Sequence, residues 1–156
     1  MDASMNQLKF QNYREQSKRL KQALNSGFNL EAMFIEYAIM EDRTESILHH
    51  AGKWEAYLKT RKGKTPTINS KVHYLQKLAL INNDLLHKYF SDNLLDQLLA
   101  WKDERNRLIH ALLEQALAHN EVCALAEKGK QLVDELKKRA SIYNRSVDRR
   151  KAKGIL

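Results

Sequence analysis

A single proline, Pro66, stands among 156 residues, and only five glycines interrupt the rest. Proline and glycine are the residues that most often force a helix to end, so this chain has few places where one must stop. Alternating apolar and polar runs are nearly absent, whereas apolar residues recur at helical spacing over most of the length. That pattern argues against a sheet and predicts an all-α antiparallel bundle of about five helices with short connections. One domain accounts for residues 1–156, since single domains usually run to roughly 100 to 200 residues.

The sparse breaks place the helices. From Ser4 to Leu24 the apolar residues Leu8, Tyr13, Leu20 and Leu24 are thinly spread among charges, predicting a mostly exposed first helix that ends at Asn25-Ser26-Gly27. A second helix from Asn29 to His50 opens on an Asn cap, carries Leu30, Met33, Phe34, Tyr37, Ile39, Met40, Ile47 and Leu48, and stops at Gly52. It reads as core. Lys53 to Asn69 holds Gly63, Pro66 and the cations Lys53, Lys59, Arg61, Lys62 and Lys64 against Glu55 alone, a basic connection with a short helical turn around Trp54 to Leu58. Ser70 is placed to cap a third helix through Val72, Leu75, Leu78, Leu80, Ile81, Leu85 and Leu86 to about Phe90. Ser91-Asp92 opens a fourth, carrying Leu94, Leu95, Leu98, Leu99, Trp101, Leu108, Ile109, Leu112, Leu113 and Leu117. The last runs from about Asn120 through Val122, Leu125, Leu132, Val133, Leu136, Ile142 and Val147 into a basic end.

Charge is unevenly placed. From Lys137 onward, Lys137, Lys138, Arg139, Arg145, Arg149, Arg150, Lys151 and Lys153 face one acid, Asp148, so this segment carries +7 of the net +8. A concentrated basic face beside a nearly neutral body suits a polyanion, because phosphate contact releases counterions and adds affinity. RNA is the first candidate partner, held by Lys137, Lys138, Arg139, Arg145, Arg149, Arg150 and Lys151; the bland alternative is a solvated basic extension over 145–156. The second helix is the opposite, with Glu31, Glu36, Glu41, Asp42 and Glu45 against Arg43. Glu41 and Glu45, four apart on one face, need a cation: Arg43, a metal, or Arg and His from another helix.

Asp103-Glu104-Arg105-Asn106-Arg107-Leu108-Ile109-His110 combines a fixed charge, an amide and a titratable base more tightly than any other segment. Arg105, Asn106 and His110 form R-N-x-x-x-H, which resembles the ribonuclease members of the HEPN family (higher eukaryotes and prokaryotes nucleotide-binding), small helical bundles carrying Arg, a polar residue that is often Asn, and a later His. A bare Arg and His at such distances says little, and Arg43 with His49 is another. Asn after Arg, with His at this spacing, is expected by chance only about 0.03 times in such a composition. The resemblance covers about Asn29 to Tyr143. It implies a HEPN-like bundle, a homodimer with a composite site, and toxin–antitoxin or antiviral-defence ribonuclease activity, for which an antitoxin or other partner protein is a candidate partner.

The same residues support that chemistry directly. RNA is cut without metal or other cofactor when a base takes the 2′-hydroxyl proton, the oxygen attacks the adjacent phosphate, and a cation steadies the phosphoryl oxygens. His110 suits the base or acid and Arg105 the cation, while Asn106 orients the His or bonds a phosphate oxygen. At about 100° per residue, positions five apart differ by roughly 140°, so Arg105 and His110 of one straight helix cannot converge on one phosphate. Either the helix is distorted near Arg105 or two chains contribute, and twofold dimers are the commonest oligomers. The bland reading is an Asp103 to Arg107 surface pair and a hydrogen-bonded core His110.

Glu41, Asp42, Glu45, His49 and His50 depart from the Glu-x-x-His pairs of carboxylate-bridged metal bundles, so no metal site is expected. Glu41, Asp42 and Glu45 are expected instead to pair with Arg105 or Arg107 and hold the cations in place, or simply to face water. Trp54, Tyr57 and Trp101 suit core better than base stacking, and Cys123, the lone cysteine, reads as a buried apolar filler. The chain lacks an apolar run of membrane-spanning length and its start is unlike a signal peptide, so a cytoplasmic protein without membrane contact is expected. A helical nucleic-acid- or protein-binding module that uses the basic C-terminal segment without catalysis is the rival reading.

Overall fold

In a computed structural model, which describes residues 3–81, 84–112, 114 and 118–154 and side chains from residue 7 onward, the chain is an all-α bundle. Seven helices occur among the described residues: α1 (Ala3–Asn25), α2 (Asn29–His50), α3 (Trp54–Arg61), α4 (Ile68–Ala79), α5 (Leu85–Phe90), α6 (Leu94–Ala111) and α7 (His119–Ala152). The count exceeds five for two local reasons. The turn expected near Trp54 is a full two-turn helix, and the expected third helix is two helices.

That second difference is a matter of capping. Thr67 opens α4 with a reciprocal box, its hydroxyl accepting from the Ser70 amide while the Ser70 hydroxyl takes the Thr67 amide, so the cap lies three residues ahead of Ser70. Asp84 then starts α5 afresh by accepting from the Leu86 amide at 3.0 Å. An Asp side chain can compete for backbone groups in this way, and the cap at Asp84 breaks an otherwise continuous apolar pattern. Leu80 and Ile81, expected on the buried stripe, consequently lie past the end of α4 and are exposed. Leu113 and Leu117 fall outside the described residues. Gly27 holds φ at +73° between α1 and α2, the left-handed conformation that lets the chain reverse there.

The ion pairs report direction. Arg19 with Glu31 and Lys9 with Asp42 show α1 antiparallel to α2. Arg107 with Glu121, and the Trp101 indole donating to the Leu125 carbonyl at 2.9 Å, show α6 antiparallel to α7. By contrast α2 and α7 run side by side in the same direction: Glu36 lies at Gly129, and His50 shares a cleft with Val147 and Arg150. Their shared core contains Met33, Met40, Ile47, Leu48, Val133 and Leu136, closed by Leu98 and Trp101 of α6 and Val72 and Leu75 of α4. Each such side chain contributes roughly 1.5–3 kcal/mol by leaving water.

At Gly129 the two helices come so close that a side chain has no room. A β-carbon there would lie 2.8 Å from Trp101 Cε2 and closer still to the Glu36 carboxyl. Glu36 is fully buried, neither of its oxygens finds a partner, and Lys130 is engaged with Asp134. Burial therefore pushes the Glu36 carboxyl up to about 8, with Lys130 only partly opposing it. Near neutral pH it is an uncharged acid packed as core.

Two expectations follow from that contact. Gly129→Ala should cost about 1–3 kcal/mol in urea denaturation through overpacking. Because the folded chain holds the Glu36 proton more tightly than the unfolded chain, this contribution is complete below pH 4.5 and is lost as pH rises through about 8. Stability measured from about pH 5 to about 9 should thus fall by several kcal/mol, and Glu36→Gln should flatten the profile.

Candidate functional site

The R-N-x-x-x-H segment lies in the second half of α6, which turns Leu94, Leu95, Leu98, Trp101, Leu108 and Ala111 into the core. That register leaves Arg105 at the edge of the buried stripe, facing the first half of α2. Its guanidinium carbon sits 4.7 Å from the Phe34 ring centre and 4.9 Å from that of Tyr37. One guanidinium nitrogen donates to Asn106 Oδ1 at 3.0 Å, while the buried Nε has no partner. Partial burial pulls the Arg105 pKa below its ordinary value, opposed by Tyr37. Two aromatic faces thus hold a cation whose remaining donors are unclaimed among the described residues.

Asn106 is half-buried and His110 is exposed, so His110 is not a hydrogen-bonded core histidine. The helix is regular α from Leu94 to Ala111, without distortion at Arg105. Within one chain, then, Arg105 and Asn106 are brought together, but Arg105 and His110 are not. Around the segment, apolar residues face outward: Phe34 is 56% exposed, Phe28 61% and Leu112 40%. Phe28 and Leu112 line one depression with Leu30, His119 and Val122, and Phe34 borders a groove of about 670 Å³ between α1 and α2 with Tyr13, Ile35, Ala38 and Ile39.

The expected acidic support for the motif does not occur. Glu41 and Glu45 close instead on Lys71 of α4, whose ammonium lies 3.4 Å and 3.2 Å from them and is almost fully buried. Asp42 faces the other way, toward Lys9 at 2.7 Å and its neighbour Arg43; burial pushes its carboxyl up, but those hydrogen bonds outweigh it and hold it below the usual range. Arg107 pairs with Glu121 at 2.6 Å and Asp103 with Lys102 at 2.5 Å, so the expected Asp103 to Arg107 pair is absent as well. The reason is position along α2: α6 meets it at Phe34 and Tyr37, whereas α4 crosses it one to two turns later and supplies the nearer cation. Phe34, Tyr37 and Lys71 were not singled out as site residues by the sequence. Phe34 and Tyr37 are three apart on one helix, a spacing that places two rings on one face, but nothing local reveals that an Arg from α6 lies over them.

The basic residues also divide. Lys137 reaches Ser17 at 3.4 Å and lies over Tyr13, and Arg139 binds Asp92, Glu135 and the Tyr89 carbonyl, so these two, expected on an RNA-facing surface, tie α7 to α1 and α5. Lys138, Arg145, Arg149 and Lys151 are exposed and Arg150 is half-buried. All lie on α7 itself, which continues to Ala152. They are far from the motif: α2 climbs about 20 Å from Tyr37 to His50, the level of Arg150, at about 1.5 Å per residue. Trp101 and Tyr57 are core, Trp54 stacks on His49 at 4.7 Å, and Cys123 is half-buried rather than internal filler.

No family model matches this chain, and neither does a curated protein or a solved structure. Among the described residues no helix is long and apolar enough to cross a membrane.

The Lys71 cluster makes an asymmetric prediction. Lys71→Met removes a buried charge and leaves two half-exposed carboxylates that water can solvate, so it should change stability by no more than about 1 kcal/mol. Glu41→Gln with Glu45→Gln leaves the buried ammonium without a counter-charge and should cost about 3 kcal/mol in urea denaturation.

Proposed function

We propose that this chain is a metal-independent endoribonuclease of toxin–antitoxin or antiviral-defence type, cytoplasmic and HEPN-like, whose active site forms between two copies. The observation that carries the reading is the straight course of α6: it holds Arg105 against α2 and exposes His110 on another face, with Phe28, Phe34 and Leu112 outward around them. One chain separates the two functions, and a twofold partner seated on that apolar face would supply the second set. Residues exchanged across a twofold axis meet in pairs, so two His110 and two Arg105 would flank one phosphate.

In such a site one His110 takes the 2′-hydroxyl proton, and the 2′-oxygen forms its bond to phosphorus. The bond from phosphorus to the 5′-oxygen breaks, and the other His110, protonated, returns a proton to that oxygen. The products are a 2′,3′-cyclic phosphate and a 5′-hydroxyl. Arg105 steadies the phosphoryl oxygens, its fork already aimed and partly desolvated by the two rings, and Asn106 holds one of its nitrogens.

The test is cleavage of a labelled mixed-sequence RNA in excess EDTA by wild type, His110→Ala and Arg105→Ala. Wild type should cut and leave cyclic phosphate ends, and either variant should lose at least about 100-fold in rate while melting like wild type. Sedimentation should show a dimer that Phe34→Glu dissociates, with activity lost in parallel. Equal cutting by all three proteins would overturn the reading.

A second reading has its own support. The exposed cations Arg145, Arg149 and Lys151 near the end of α7 lie far from the motif, as in a binding module that grips nucleic acid or a partner protein without cutting. RNA bound but never cut by wild type, with an affinity that falls steeply with salt, would favour it.

A further inference from the structure

At the end of the α2 and α7 pair opposite the motif lies a cleft of about 200 Å³. The α2–α3 turn forms one wall with His50, Gly52 and Lys53, and the last turns of α7 form the other with Tyr143, Arg150 and Lys151. Leu85, Leu86 and Val147 make an apolar floor, with Asp84 at its edge. Residues almost a hundred positions apart in sequence therefore converge here, which composition cannot show.

The charges in this cleft do not cancel. Lys53, Arg150 and Lys151 form no ion pair among the described residues. The one acid in the lining, Asp84, already spends an oxygen capping α5 through the Leu86 amide. His50 donates from Nδ1 to the Ser46 carbonyl at 2.9 Å, which fixes its ring at the cleft wall. Arg150 is half-buried, unlike its neighbours Arg149 and Lys151, and lines the cleft together with Val147. By contrast, Lys71 and Arg139 each have two carboxylates within reach. A concave site that gathers one guanidinium and two ammonium groups, with one partly committed acid, is complementary to a compact oxyanion carrying more than one charge. Its volume is below the roughly 300–1,000 Å³ typical of sites for whole small molecules and suits a single phosphoryl group.

We propose that this cleft is a phosphate-binding site, in which Lys53, Arg150 and Lys151 hold one phosphoryl group, either free phosphate or one unit of a nucleic-acid backbone. The assignment does not depend on the cleavage reading, since it asks only for binding, and it lies at the opposite end of the α2 and α7 pair from Arg105 and His110.

Amide NMR of the full chain titrated with inorganic phosphate, against chloride at matched ionic strength, tests it. Shifts should cluster at the residues lining the cleft, saturate in the millimolar range, and weaken at least about tenfold in Lys53→Ala/Arg150→Ala. The charge-matched Arg14→Ala/Lys18→Ala, on exposed α1 positions, should behave as wild type. If the double variant does not fold, Lys151→Ala, at an exposed position, should still weaken binding severalfold. A short RNA without terminal phosphates then separates the sources. Loss of its affinity in the same variants, with competition by phosphate, identifies the backbone as ligand; unchanged RNA affinity identifies free phosphate. Shifts that chloride reproduces, or phosphate binding undiminished in the cleft variants, would overturn the assignment.

Discussion

The close parallel contact of α2 with α7 is what the rest of the bundle is arranged around. It works because Gly129 presents no side chain where Glu36 and Trp101 need the space. Three helices are locked by that one position: α2 supplies an uncharged acid, α6 an indole that also satisfies the Leu125 carbonyl, and α7 the gap between them. Trp101 is one helical turn before Arg105, so the packing that seats the indole also sets the rotation of α6 that lays Arg105 over Phe34 and Tyr37. A shift of register at Gly129 would move the motif as a unit.

Helical class and most boundaries were legible because they rest on local physics. The ends of α1 and α2 follow from Asn25-Ser26-Gly27 and from Gly52, and α7 begins next to the predicted Asn120. The break between α4 and α5 was harder to read, since the apolar pattern runs on through Leu80 and Ile81 while the capping by Asp84 is a competition between backbone and side chain. Within the candidate site, the angular separation of His110 from Arg105 follows from α6 alone. The partners do not. Glu41 and Glu45 announce by their spacing that a cation is needed, yet its identity as Lys71 depends on how α4 crosses α2, a relation that no local pattern encodes.

Charge illustrates the same limit. Taken as a run, the residues after Lys137 form one basic tail, but helix α7 gives each a different azimuth. Lys137 and Arg139 turn inward and are spent on Tyr13, Asp92 and Glu135, while Lys138, Arg145 and Arg149 face water. Arg150 and Lys151 meet Lys53, a residue that belongs in sequence to a different basic segment. The cleft is thus lined from two runs, and part of the longer run is engaged in contacts between helices.

The motif and the basic cleft lying at opposite ends of one helix pair constrains any function that uses both. A polyanion gripped by Arg150 and Lys53 must extend about 20 Å along the α2 and α7 pair before it comes level with Tyr37, the ring beneath Arg105. A free mononucleotide is too short for that, whereas an extended single strand is not. In a twofold assembly joined through the motif, each copy would carry its cleft outward, so one central site would be flanked by two phosphate-binding ends. Such an arrangement favours long RNA over short fragments, because a strand held at an end as well as at the centre gains effective concentration at both. Length selectivity would then arise from the placement of two unremarkable sites rather than from the reading of bases.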